Sequence, residues 1–90
     1  MRISKYVLNY PHNVEAIQYT GDNKQEVMKW ANITIIPAYE DDMPVLLIQT
    51  KAGTEIARVG DYVIKHPNGD VHPYKKEYFE QDFSKQETLQ

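Results

Sequence analysis

The side chains of this sequence that can take part in chemistry are three histidines, thirteen carboxylates, ten lysines and arginines, and seven tyrosines. His66 and His72 flank the segment Pro67–Val71, a spacing that suggests a metal pair if one hairpin brings them together. Asn68-Gly69 favours a tight turn because both residues tolerate positive φ. A symmetric two-residue loop there pairs Lys65 with His72, Val63 with Tyr74 and Asp61 with Lys76. That register places His66 and His72 on opposite faces of the hairpin, so the reading is that they hold no metal. It gathers Asp61, Lys65, His72, Tyr74 and Lys76 on one polar face, a surface suited to an anion or to a protein partner. Lys75 joins Lys65, Lys76 and Tyr74 as the set that would serve a nucleic acid, by stacking on the ring beside cations.

Covalent and redox chemistry find little support. There is no cysteine, and the serines, Ser4 and Ser84, sit near the ends. No Gly-x-Ser-x-Gly elbow, phosphate-binding loop or dinucleotide fingerprint occurs. Glu15 and Asp61 show no sign of converging as a carboxylate pair. In Gly60-Asp61, the carboxylate is read first as a turn cap bonding a nearby amide. The expectation is a non-enzymatic chain with no cofactor.

The elements that must position these residues follow from periodicity. Val14 to Tyr19 alternates as a half-buried strand. After Thr20-Gly21-Asp22, Val27, Trp30 and Ala31 make an apolar stripe on a helix over about 23–31. Asn23 is expected to accept a hydrogen bond from the Glu26 amide in a capping box, and Asn32 to stop the helix in the left-handed region. Ile33 to Ile36 reads as a strand ending near Pro37, and Glu40-Asp41-Asp42 as a solvated loop. Val45 to Thr50 is the most apolar strand and is expected to be central. Lys51-Ala52-Gly53 turns it into 54–58, and Tyr62–Lys65 pairs with Val71–Tyr74, where Pro73 calls for an edge or a bulge. On this register Tyr62, Ile64, Val71 and Pro73 face the core. Lys75 to Gln81 is expected to form a helical turn setting Tyr78 and Phe79 on the sheet. The sum is an α+β domain over 1–84: a twisted, mainly antiparallel sheet of about five to six short strands, curling toward a barrel, with one helix packed on it and a short C-terminal helix. Residues 85–90 are polar and expected to fray.

Composition narrows the class. Ninety residues suit one domain. A net charge of −3 gives no basic footprint, which disfavours nucleic acid as the main partner. The longest apolar run, Val45–Ile48, is far too short to span a bilayer, so the expectation is a cytoplasmic protein without a membrane partner.

Three ordered motifs carry a resemblance. Val14-Glu15-Ala16-Ile17-Gln18-Tyr19-Thr20-Gly21-Asp22-Asn23 resembles the opening motif of a family of small, uncharacterised proteins of tailed phages and prophages. Leu46-x-Ile48-x-Thr50-x-x-Gly53 is similar to the middle one. Gly60-Asp61-Tyr62-Val63-Ile64-Lys65, then Gly69-Asp70, Tyr74-Lys75 and Phe79-Glu80, resembles the last. Val59 replaces the family's usual Pro, Asp70 a Glu, and Lys76-Glu77-Tyr78 a Pro-Asp-aliphatic run. The resemblance covers residues 13 to 84 and implies a phage origin and a bacterial cytoplasmic setting, without a mechanism. The expected function is a phage or prophage accessory protein that binds a host or phage protein, as an inhibitor of a host or defence factor would. The alternatives are a small nucleic-acid or nucleotide-binding module and a homo-oligomer joined through an exposed strand edge.

Overall fold

The computed structural model describes residues 4–8 and 13–85, with side chains over 14–81. The order is β1 (Ser4–Leu8), β2 (Asn13–Gln18), α1 (Lys24–Ala31), β3 (Ile35–Glu40), β4 (Met43–Thr50), β5 (Gly53–Arg58), β6 (Tyr62–Lys65), β7 (Val71–Tyr74), α2 (Lys76–Asp82) and β8 (Phe83–Lys85). All pairings are antiparallel, in two sheets ordered β7-β6-β2-β1-β8 and β3-β4-β5. The α+β class is as expected. The eight strands among the described residues exceed the five to six expected, and they form two open sheets there, with no closed barrel. Lys85, assigned by its polarity to a tail, pairs with Tyr6 in β8; 86–90 and His12 lie outside the described residues.

The main core lies between the sheets. Val27, Trp30 and Ala31 of α1 pack with Ile17 and Tyr19, with Leu46 and Ile48 of β4, and with Val63 and Val71 of β6 and β7. Val27, Leu46, Ile48 and Val63 are fully buried, each worth roughly 1.5–3 kcal/mol of transfer free energy. A second core lies on the opposite face of the large sheet, where Phe79 of α2 covers Val14, Ala16 and Ile64, flanked by Tyr62 and Tyr74. Tyr62 and Phe79 stack with ring centroids 3.9 Å apart. Phe79 thus meets the sheet as expected, whereas Tyr78, expected beside it, is 54% exposed. Adjacent helical positions point about 100° apart and cannot both face one sheet.

Local chemistry accounts for the turns. Asn32 ends α1 at φ 56°, ψ 37°, as its residue type predicts. Asn23 makes no capping bond to the helix. Its Oδ1 accepts from the Thr20 amide at 3.0 Å, and its Nδ2 donates to the Gln18 carbonyl at 2.9 Å. The side chain is spent clasping the turn around Gly21. That glycine sits at φ +94°, where an added Cβ would come within 3.1 Å of Val59 Cγ2.

Pro37 does not end β3. It lies mid-strand opposite Leu46. The Thr34 carbonyl accepts from the Gln49 amide, so hydrogen-bonded pairs fall at 34/49 and at every second pair after it. Pro37 therefore occupies a non-hydrogen-bonded pair, and its nitrogen points to the free edge, where no donor is required. The acidic loop is the two-residue turn Asp41-Asp42, both at positive φ (51° and 64°), closing the pair Glu40/Met43.

The β6–β7 register also differs from the symmetric one. Tyr62 pairs with Tyr74, Val63 with Pro73, Ile64 with His72 and Lys65 with Val71. The loop is Pro67-Asn68-Gly69, three residues: the His66 amide donates to the Asp70 carbonyl at 2.8 Å and the Gly69 amide to His66 at 2.9 Å. A two-residue loop would make Pro67 the closing residue, and proline has no N–H to close it. Gly69, at φ +94°, takes the left-handed position of the longer loop. The expected core set is thereby split. Ile64 and Val71 are both buried, but on opposite faces.

Candidate functional site

β4, with the run Pro44-Val45-Leu46-Leu47-Ile48, is apolar at both alternations, so both faces of the small sheet must carry apolar side chains. Leu46 and Ile48, with Ala57 and Ile35, point into the main core. The register sets Ile36, Leu47 and Ile56 in one row across the other face, with Ala38, Val45 and Arg58 in the next, and Met43 beyond. Among the described residues no element covers this face: Ile36 is 48% exposed, Met43 53% and Ile56 36%.

An ion pair frames it. Arg58 Nε and Nη2 donate to Glu40 Oε1 and Oε2 at 2.6 and 2.9 Å. These residues lie on the two outer strands, so the pair bridges over β4, and the Val45 between them is buried to 3% exposure. The hydrogen bond from Arg58 holds the Glu40 carboxyl below the usual glutamate range, and the same bond raises the guanidinium. Beside β5 the face continues into an open cleft of about 400 Å³ between β5 and β7, with Ile56 and Arg58 on one wall and Pro73, Tyr74 and Lys75 on the other.

The five residues expected on one face, and Lys75 of the nucleic-acid set, are distributed otherwise. Asp61, Tyr74 and Lys75 line this cleft. Asp61 also holds its own turn, its carboxylate accepting from the Arg58 amide at 2.9 Å while its carbonyl accepts from the Tyr19 amide. Lys65 is turned to the other face of the hairpin. Its ammonium donates to the Trp30 carbonyl at 3.1 Å and lies 5.7 Å over the Trp30 ring, at the C-terminal end of α1. Lys76 is exposed at the start of α2. Tyr74 meets Phe79 edge-on at 6.1 Å.

His72 faces His66. The three-residue loop returns both to one face, with their Nε2 atoms 3.0 Å apart, and this overturns the placement on opposite faces. Among the described residues, no group of three or more His, Cys, Asp or Glu is placed to hold a metal ion. A second open cleft, about 390 Å³, lies between the β4–β5 and β6–β7 turns, where Lys51 and Asp70 pair at 3.1 Å.

Sequence reasoning missed Ile36, Leu47, Ile56 and Met43. The signal was the unbroken apolar run of β4, read only as the mark of a central strand, which it is in the order β3-β4-β5. Among the described residues, no helix is long and apolar enough to cross a membrane. Comparison with family models, curated proteins and solved structures finds no significant match.

Proposed function

We propose that this chain is a non-enzymatic protein-binding module that docks a partner protein on the outer face of β3, β4 and β5, as a phage or prophage accessory protein acting on a host or phage protein. The observation that carries the reading is the row Ile36–Leu47–Ile56, left in solvent together with Met43. Apolar area of this kind costs solubility unless something covers it. Its layout supports protein recognition: an apolar centre, and a rim of Gln49, Thr54 and the Arg58–Glu40 pair. The neighbouring cleft adds Tyr74, Lys75 and Asp61, side chains able to set the orientation of a bound surface. The phage setting is supported by the ordered motifs between residues 13 and 84 alone.

The test is a comparison of the chain with Ile36→Glu and Ile56→Glu as baits in a bacterial lysate, alongside light scattering. The reading expects a monomer that retains a defined protein, which both substitutions release while Lys76→Ala does not. Retention of the same proteins by the Ile→Glu baits sinks it. A dimer that dissociates on Ile56→Glu would assign the face to a second copy instead.

A further inference from the structure

We propose that His66 and His72 chelate one divalent ion of the copper or nickel class. The inference is independent of the docking face and rests on the register of the β6–β7 hairpin. That register puts the two imidazoles side by side on one face, with Nε2 atoms 3.0 Å apart and ring centroids 5.1 Å apart.

The separation is that of an N–H···N hydrogen bond, and a chelate spans nearly the same distance. Imidazole nitrogens bind such ions at about 2.0–2.1 Å, so two of them at a right angle stand about 2.9 Å apart, and two at a tetrahedral angle about 3.3 Å. The 3.0 Å of the hydrogen-bonded pair lies within a few tenths of an ångström of both, so the rings can close on one ion with little movement, and Cu²⁺ is the divalent ion that imidazole donors hold most tightly.

The outer contacts agree. His72 Nδ1 lies 3.2 Å from the Pro73 carbonyl oxygen. A carbonyl only accepts, so Nδ1 carries the proton and Nε2 of the neutral ring presents a lone pair. A ligating histidine fixed through its second nitrogen to a backbone carbonyl is a recurrent support of metal sites. In the ion-free molecule His66 Nε2–H then donates to His72 Nε2. When the ion binds, that proton leaves Nε2 and one is taken up at His66 Nδ1, so two neutral rings bind with no net proton change. In the hydrogen-bonded pair the two Nε2 atoms are aimed at each other, so the rings must swing about their Cβ–Cγ bonds to turn both lone pairs onto the ion. Both rings are half-buried, which leaves the outer positions of the ion to water. Asp70, at the base of the same loop, is held by Lys51 and Asn68.

The experiment is a Cu²⁺ titration of the untagged chain at neutral pH, read by electron paramagnetic resonance, with Mg²⁺ as the control ion. The expected result is one ion per chain with hyperfine coupling to two imidazole nitrogens, unchanged by excess Mg²⁺. His66→Gln and His72→Gln should each reduce affinity at least as much as losing an outer-shell partner does, about 10–100-fold, and His12→Gln should leave it unchanged. Because the spectrum of the unsubstituted chain reports the number of nitrogens, a variant that misfolds does not decide the question. No binding at micromolar copper, coupling to a single imidazole, or an equal loss in His12→Gln overturns the site.

Discussion

The two sheets solve the same problem differently. The large one is covered on both faces at β2 and β6, by the small sheet with α1 on one side and by α2 on the other. The small one is covered on one face only, although its central strand is the more apolar. The difference lies in the chain that follows each sheet. After β7 a seven-residue helix brings Phe79 back over Ile64 and Ala16. After β5 the chain turns at Gly60-Asp61 directly into the large sheet, so no segment between β5 and β6 folds over Ile36 and Ile56. A helix of that length has little stability of its own. It persists because one aromatic ring finds a complete apolar seat. Bare apolar area on one sheet, beside another covered on both faces at β2 and β6, therefore reads as a surface kept for contact.

Removing the cover is the severest test of the comparison. Phe79→Ala should cost about 3–5 kcal/mol, the usual range for deleting a buried aromatic, read as a fall in the urea midpoint. A loss below about 1 kcal/mol would mean that α2 does not hold that face. The matched changes on the open face, Ile36→Thr and Ile56→Thr, keep β-branched residues and should each shift stability by no more than about 0.5 kcal/mol. A loss above about 2 kcal/mol at either would show that the face is filled in the folded chain. The smallest effect is expected at the rim. Glu40 is held below its unfolded value of about 4.3 by Arg58, so its contribution is present above that pH and vanishes as the pH falls through the lower folded value. In thermal melts, the gap between the chain and Glu40→Gln should narrow as the pH falls below about 4.3 and shrink with salt. A gap that does not narrow on acidification would mean the carboxylate is not what Arg58 recognises.

Apart from the Asn23 cap, local signals in the sequence were read well, and those depending on a partner strand were not. Val27, Trp30 and Ala31 share one stripe whatever they pack on, and Asn32 reaches the left-handed region for reasons internal to the chain. Gly53, at φ +116°, turned β4 into β5 as its residue type requires. The β6–β7 register depended on a loop in which Asn68-Gly69 argued for two residues and Pro67 for three. The missing N–H of proline decided it, and a shift of one residue moved Lys65 to Trp30 and brought His66 to His72. The candidate face was illegible for another reason. The Pro44–Ile48 run says that both faces of a strand are apolar, and only the path of the remaining chain says which stays uncovered.

Pro37 in β3 and Pro73 in β7 have a consequence for behaviour in a crowded cell. Each occupies a non-hydrogen-bonded pair in an edge strand, with its nitrogen turned outward. A chain approaching either border to extend the sheet would find a gap in the row of donors it needs. The borders that β3 and β7 present are thus poor templates for fibril growth, and the apolar face is guarded along its β3 side.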